Sequence, residues 1–120
     1  ARERVEAALG AGVTLFDTAD IYGPDNDEPF GAAEALLGRV FAESPGLRDQ
    51  MVLATKGGIV IGTPYDSSAS YVAQAIDASL ERLGVERIDL WQIHRPDILT
   101  HPQEVARALD DAVASGKVRA

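Results

Sequence analysis

The sequence predicts an α/β fold on a parallel sheet, and three observations carry that prediction. Short apolar runs of strand length alternate with amphipathic helical patterns along the whole chain. The strand-like runs begin near Val13, Met51, Ile88 and Lys117, at intervals of 38, 37 and 29 residues. Each interval leaves room for one crossover helix, which is the spacing of βαβ units. The helical patterns are also punctuated by glycines and capping residues where helices should stop and start.

The elements follow in order. Arg2–Leu9 reads as a helix with Val5, Ala8 and Leu9 on one face, and Gly10 suits the left-handed position after it. Val13–Phe16 reads as a short buried strand that meets solvent at Asp17. "PDNDEP" at 24–29 is a polar loop. Ala33, Leu36, Leu37, Val40 and Phe41 recur at helical spacing and place a second helix over Ala32–Phe41. Met51–Thr55 is a second strand, and "GGIVIGTPYDSS" after it is a loop rich in Gly, Pro and Ser.

The third helix, Ala69–Leu83, has the clearest pattern. Ser68 can cap it, Val72, Ala75, Ile76, Leu80 and Leu83 form its stripe, and Gly84 ends it. Ile88–Ile93 is the next strand. Thr100 and Gln103 have capping-box spacing for a fourth helix. Its buried face would be Val105, Ala106, Leu109, Ala112 and Val113, with Gly116 closing it and Lys117–Ala120 opening a further strand.

Two architectures use such units: a doubly wound open sheet and a (β/α) barrel. A dinucleotide fingerprint would place G-x-G-x-x-G after the first strand. The nearest match, Gly10-Ala-Gly12, precedes a strand and lacks the third glycine, which weakens the open-sheet option.

Composition narrows the function. At 120 residues the chain makes one domain, residues 1–120, and not two. A formal net charge of −8 disfavours nucleic acid and anionic membrane surfaces as partners. No cysteine is present, so no disulfide framework or thiolate metal site can form, in keeping with a cytoplasmic location. No apolar run approaches the roughly 20 residues of a membrane span. "ARERVEAALG" reads as a charged helix, not a leader, and both ends read as cut.

The chemistry lies at the strand ends. The first strand ends at Asp17 with Tyr22 just beyond, the second at Lys56, the third at His94. In a parallel barrel all strand C-termini open on one face, so these four would share a mouth. Hydride addition to a carbonyl leaves negative charge on oxygen, and a proton donor must be waiting. A free phenol, with a pKa of about 10, is a reluctant donor, and a nearby ammonium such as Lys56 favours its ionised form. That lysine needs a counter-charge in a low-dielectric mouth, which Asp17 supplies. Neutral His94 can hydrogen-bond the carbonyl oxygen.

"GVTLFDTADIYG", "VLATKGG" and "LWQIHRPD" together resemble the aldo-keto reductases, and within them the bacterial branch carrying H-R-P-D after the fourth strand. The pattern D-T-A-x-x-Y-G, then T-K, then a strand ending in H is met at Asp17, Tyr22, Lys56 and His94. The resemblance implies a (β/α)8 TIM barrel, of which this chain holds roughly strands two to four and the start of strand five. It implies NADPH/NADP+ as cofactor and a small aldehyde or ketone as substrate. Tyr22, Lys56, Asp17 and His94 would be the catalytic set, Tyr22 as proton donor. Asp17 would also contact the cofactor's nicotinamide ribose, and His94 and Tyr22 would contact substrate. The family's first strand and its later segments, which grip the pyrophosphate and 2′-phosphate, have no counterpart here. The segment alone is therefore expected to be inactive.

Plainer roles suit other residues. Asp20 reads as a turn residue, Glu34 as a structural partner matching a family glutamate, and Trp91 as packing between sheet and helices. The run Asp25–Glu28 reads as a solvated loop. Arg95 and Asp97 could face substrate or tie down their loop. Two rival functions stand beside reduction. One is a cofactor-binding sensor or scaffold, as some family members are when they serve as channel subunits. The other is a metal-dependent hydrolase using Asp17, His94, Asp97 and His101, which lacks an H-x-H or H-E-x-x-H ligand pair.

Overall fold

The computed structural model describes residues 1–120. Three strands, β1 (Leu15–Asp17), β2 (Val52–Gly57) and β3 (Leu90–Ile93), lie parallel in the order β1-β2-β3. Asp17 pairs with Ala54, and Lys56 pairs with Gln92. A fourth strand opens beyond β3, where Val118 bridges Ile88 and the Trp91 N–H donates to the Ala120 carbonyl at 2.9 Å. Lys117–Ala120 therefore continues the parallel sheet as its alternation predicts.

Four helices accompany the strands: α1 (Arg2–Gly10), α2 (Ala32–Glu43), α3 (Ala69–Leu83) and α4 (Pro102–Ala114). α3 packs between α2 and α4 and against β2. Its stripe is buried through Val72, Ala75, Ile76 and Leu83, which join Leu53, Ile88 and Trp91 in one core. Burying such aliphatic side chains stabilises by about 1.5–3 kcal/mol each. α2 and α3 approach closely because Gly38 has no side chain. A methyl group there would come within 2.2 Å of the Arg82 carbonyl. Ser68 caps α3 by accepting from the Tyr71 N–H, and Gly84 ends it at φ 64°.

Several expectations need correction. Val13–Phe16 is not a buried strand: β1 covers Leu15–Asp17, and Val13 and Leu15 are 49% and 56% exposed. β1 is the edge of the sheet, and the face carrying Leu15 and Val52 has no layer packed on it. Gly10 stays helical, and the left-handed residue is Gly12, two positions later. Thr100 does not cap α4. His101 does, its Nδ1 accepting from the Gln103 N–H at 3.2 Å, while Thr100 donates to Asp97. α4 buries Ala108 and Ala112, with Val105 and Leu109 half-buried and Ala106 and Val113 exposed. A one-sided helix on a partial sheet has only its central stripe covered. No helix is long and apolar enough to cross a membrane.

Candidate active site

Side chains alternate across a strand, and that rule builds the site. Leu53 and Thr55 of β2 are buried towards the helices, which turns Lys56 to the opposite face. In register, Asp17 and Gln92 fall on that same face from the two flanking strands. The Lys56 ammonium pairs with Asp17 Oδ2 and donates to the Thr18 carbonyl at 2.8 Å. Gln92 Nε2 donates to Asp17 Oδ1 at 3.2 Å, so one carboxylate on β1 is held from both β2 and β3.

Tyr22 and His94 stand just past the strands. The His94 N–H donates to the Gly57 carbonyl at 2.8 Å, extending the β2–β3 ladder by one bond. The Tyr22 carbonyl accepts from the Ala33 N–H at 3.1 Å, tying its loop to the first turn of α2. The two rings meet edge to face, with centroids 5.8 Å apart and planes at 85°. Lys56 Nζ lies 5.1 Å from the Tyr22 ring centroid. All four residues singled out in the sequence thus converge: Asp17, Tyr22, Lys56 and His94.

The charges at this mouth have definite consequences. His94 is held below the ordinary histidine value by burial first, then by the positive charges of Lys56 and Arg95, with Asp17 opposing. It is neutral at pH 7 and offers one nitrogen as donor and one as acceptor. Its Nδ1 is buried without a partner. The Asp17–Lys56 pair is asymmetric: the Lys56 side chain is 12% exposed and that of Asp17 is 46%.

A second layer lies behind the sheet, and Asp20 belongs to it. Asp20 is the turn residue its position suggests, with the Tyr22 N–H donating to the Ala19 carbonyl at 3.2 Å across it, but it is 1% exposed. Its Oδ1 has no hydrogen-bond partner. Burial, with the Glu34 charge next, pushes its carboxyl up to about 7, against the pull of Arg82, the Ile21 N–H and Tyr71. Glu34, fully buried on α2, accepts from Thr55 Oγ1 and Arg82 Nε, both at 2.6 Å. Gly57 has room for no side chain, since a methyl group would lie 2.7 Å from the Trp91 indole and 2.8 Å from Asp20 Oδ2. The signal that marks Asp20 is the glycine after Lys56, a small residue where a buried acid needs space.

Asp97 ties down its loop. It accepts from Thr100 Oγ1 at 2.6 Å and from the N–H groups of Leu99 and Ser67 at 2.9 and 3.2 Å. Those bonds, Thr100's first, hold its carboxyl below the usual range. Arg95 is exposed. The hydrolase donor set is not assembled: His101 caps α4, Asp97 serves its loop, and no three such side chains converge on one point.

A parallel α/β sheet thus brings an acid, a phenol, an ammonium and an imidazole to adjacent strand ends. The sequence profile of the aldo/keto reductase family matches residues 1–120, and the chain belongs to that family. It is 66% identical over 120 residues to a 6-dehydroglucose reductase of Novosphingobium aromaticivorans, covering all of this chain and 40% of that protein. It is 41% identical to a 6-dehydroglucose reductase of Agrobacterium fabrum, covering 98% of this chain and 40% of that one. An L-glyceraldehyde 3-phosphate reductase of Escherichia coli K12 is 39% identical over 97% of the chain and 34% of its own length. The chain spans about 40% of the length of the curated relatives it matches.

Proposed function

We propose that the protein carrying this chain is an NADPH-dependent carbonyl reductase built on a (β/α)8 barrel. β1 to β3 are barrel strands two to four, residues 1–120 are part of that one domain, and Lys117–Ala120 opens strand five. The observation that carries the proposal is the convergence of Tyr22, Lys56, Asp17 and His94 on one side of three adjacent strand ends. The substrate is a sugar-derived aldehyde or ketone, a class supported by relatives named for 6-dehydroglucose and L-glyceraldehyde 3-phosphate. A cytoplasmic location goes with this reading.

The donor chemistry fits the nicotinamide end of such a cofactor. Asp17 is nearly half exposed and carries acceptor oxygens that suit a ribose hydroxyl. A bound nicotinamide supplies the hydride that reaches the carbonyl carbon. Neutral His94 donates a hydrogen bond to the carbonyl oxygen and orients it beside the Tyr22 ring. Tyr22 then gives its phenolic proton to that oxygen, completing the alcohol, and regains a proton from solvent. Lys56 stabilises the phenolate left behind, and Asp17 holds Lys56 in place between the strands.

The test is Tyr22→Phe in the full-length enzyme, with glyceraldehyde as substrate and NADPH oxidation followed by absorbance. Turnover falls by a factor on the order of 10² or more while NADPH affinity, measured by fluorescence, changes little. Near-normal turnover would remove Tyr22 from the role of acid. NADPH binding with no carbonyl reduction by the unsubstituted protein would favour a sensor instead.

A further inference from the structure

The four residues at the mouth do not account for Asp20, a carboxyl 1% exposed in the layer behind them. Its backbone N–H donates to the Lys56 carbonyl at 3.0 Å. Its carboxyl occupies the space a side chain on Gly57, the next residue, would need, since a methyl group there would lie 2.8 Å from Oδ2. The Gly57 carbonyl in turn accepts the His94 N–H at 2.8 Å. Asp20 thus holds the Lys56 carbonyl, and the carbonyl one residue further along β2, that of Gly57, carries His94.

The groups around Asp20 make its charge state consequential. Glu34 faces it from α2, and Arg82 and Tyr71 face it from α3. β2 contributes no opposing charge, because the Lys56 ammonium turns to Asp17 and the Thr18 carbonyl on the other side of the sheet. Arg82 already donates to Glu34 at 2.6 Å, so a single cation serves two buried carboxyls. Asp66 adds further negative charge near Tyr71, whose phenol is pushed up to about 12 by burial and by Asp20. Tyr71 therefore stays protonated and cannot relieve the pair by ionising.

We propose that Asp20 is a proton-gated positioning residue: with its carboxyl protonated it seats the Lys56–Gly57 peptide, and loss of that proton disturbs Lys56 and His94. Two buried carboxylates sharing one guanidinium repel each other, and the softest response is movement of the Asp20 segment away from Glu34. That segment leads directly to Tyr22 and is hydrogen-bonded to β2, so the movement reaches Lys56 and, one residue on, the Gly57 carbonyl that carries His94. The buried Oδ1 without a partner agrees with a carboxyl that holds its own proton. Burial pushes the Asp20 carboxyl up to about 7, which puts the transition within the working range of a cell.

The proposal rests on the carbonyl-reductase reading for its kinetic consequence, but its structural part does not. The first measurement is the pH dependence of kcat in the full-length enzyme and in Asp20→Asn, which keeps the shape and cannot ionise. The wild-type kcat falls roughly threefold to tenfold from pH 6 to pH 8, the range of remote coupling. In Asp20→Asn that ratio collapses towards one, whatever the absolute rate. The second measurement is an NMR titration of the His94 imidazole, which needs no activity. Wild-type shows an inflection near neutrality besides that of His94 itself, and Asp20→Asn loses it. Absence of turnover in the wild type with the inflection present overturns the reductase reading and leaves the gate standing. Identical pH profiles and identical His94 titrations in the two proteins overturn the gate. Should Asp20→Asn fail to fold, the carboxyl 13C resonance of wild-type Asp20 decides: a midpoint in the ordinary carboxylate range sinks the proposal.

Discussion

Two aspartates three residues apart, Asp17 and Asp20, end in opposite surroundings. Asp17 stands at the strand-end mouth, nearly half exposed, matched by its own lysine and by Gln92. Asp20 sits behind the sheet, almost wholly buried, beside a second carboxyl with which it shares one arginine. At the mouth the Asp17 carboxylate stays in contact with solvent while its lysine is largely covered. The layer behind it buries charge, where every missing partner is costly. The difference teaches that chemistry and rigidity are divided between the two faces of one short strand and its loop.

The largest expected effect breaks the buried side. Glu34→Ala strands Arg82 and removes the acceptor of Thr55, costing roughly 3–5 kcal/mol in urea unfolding of the full-length protein. A loss under about 1 kcal/mol would mean the layer is no more cohesive than a surface pair. At the mouth, Lys56→Met reverses the pattern. Reduction drops on the order of 10²-fold because Tyr22 loses its neighbouring cation, while stability changes by only about 1 kcal/mol. A stability loss as large as that of Glu34→Ala would erase the distinction.

A subtler contrast is the coupling of Asp17 to Lys56. Because Asp17 is nearly half exposed, an Asp17→Asn/Lys56→Met double-mutant cycle yields a small but non-zero coupling of about 0.5–1 kcal/mol. Strict additivity would show that the pair seen between β1 and β2 does not cohere.

The last contrast lies in the pH dependence of stability, where the two regions have opposite signs. Asp20 is raised from 3.8 to about 7, so the folded state binds the extra proton between those values. Its contribution is fully present below the unfolded value and fades as pH rises to about 7. His94 is lowered from 6.5, so the folded state resists its proton, and that contribution is lost as pH falls below 6.5. Thermal unfolding between pH 5 and 8 tests both: Asp20→Asn flattens the loss on the alkaline side, and His94→Gln flattens the loss on the acid side. Unchanged curves in both variants would mean neither shift governs folding.

Much of the fold was legible because local rules governed it. The α3 stripe, its Ser68 cap and its Gly84 stop depend on residues a few positions apart, and they appear where those residues stand. The strand-end placement of Asp17, Lys56 and His94 was legible for the same reason, since alternation and strand length are local. The turn at Asp20 was legible, but its burial escaped, because only the arrival of Glu34 and Arg82 from distant helices makes this turn residue a buried acid. The α4 cap escaped because Thr100 and His101 compete, and the pull of Asp97 on Thr100 comes from the folded loop.

The order of strands and helices, their spacing and the types of group at each strand end were determined by the sequence itself, because periodicity and capping act over short range. The tertiary structure decided how the charges behind the sheet combine. The expected Asp17–Lys56 pair is realised by the parallel register of β1 on β2, whereas only the packing of α2 and α3 brings Arg82 to Glu34 beside Asp20. The same register sends Asp20 past the strand end, under α2 and α3, where burial rather than sequence sets the charge it carries. Electrostatic energy depends on distance and solvent access between groups far apart in the chain, and neither exists until the helices have packed.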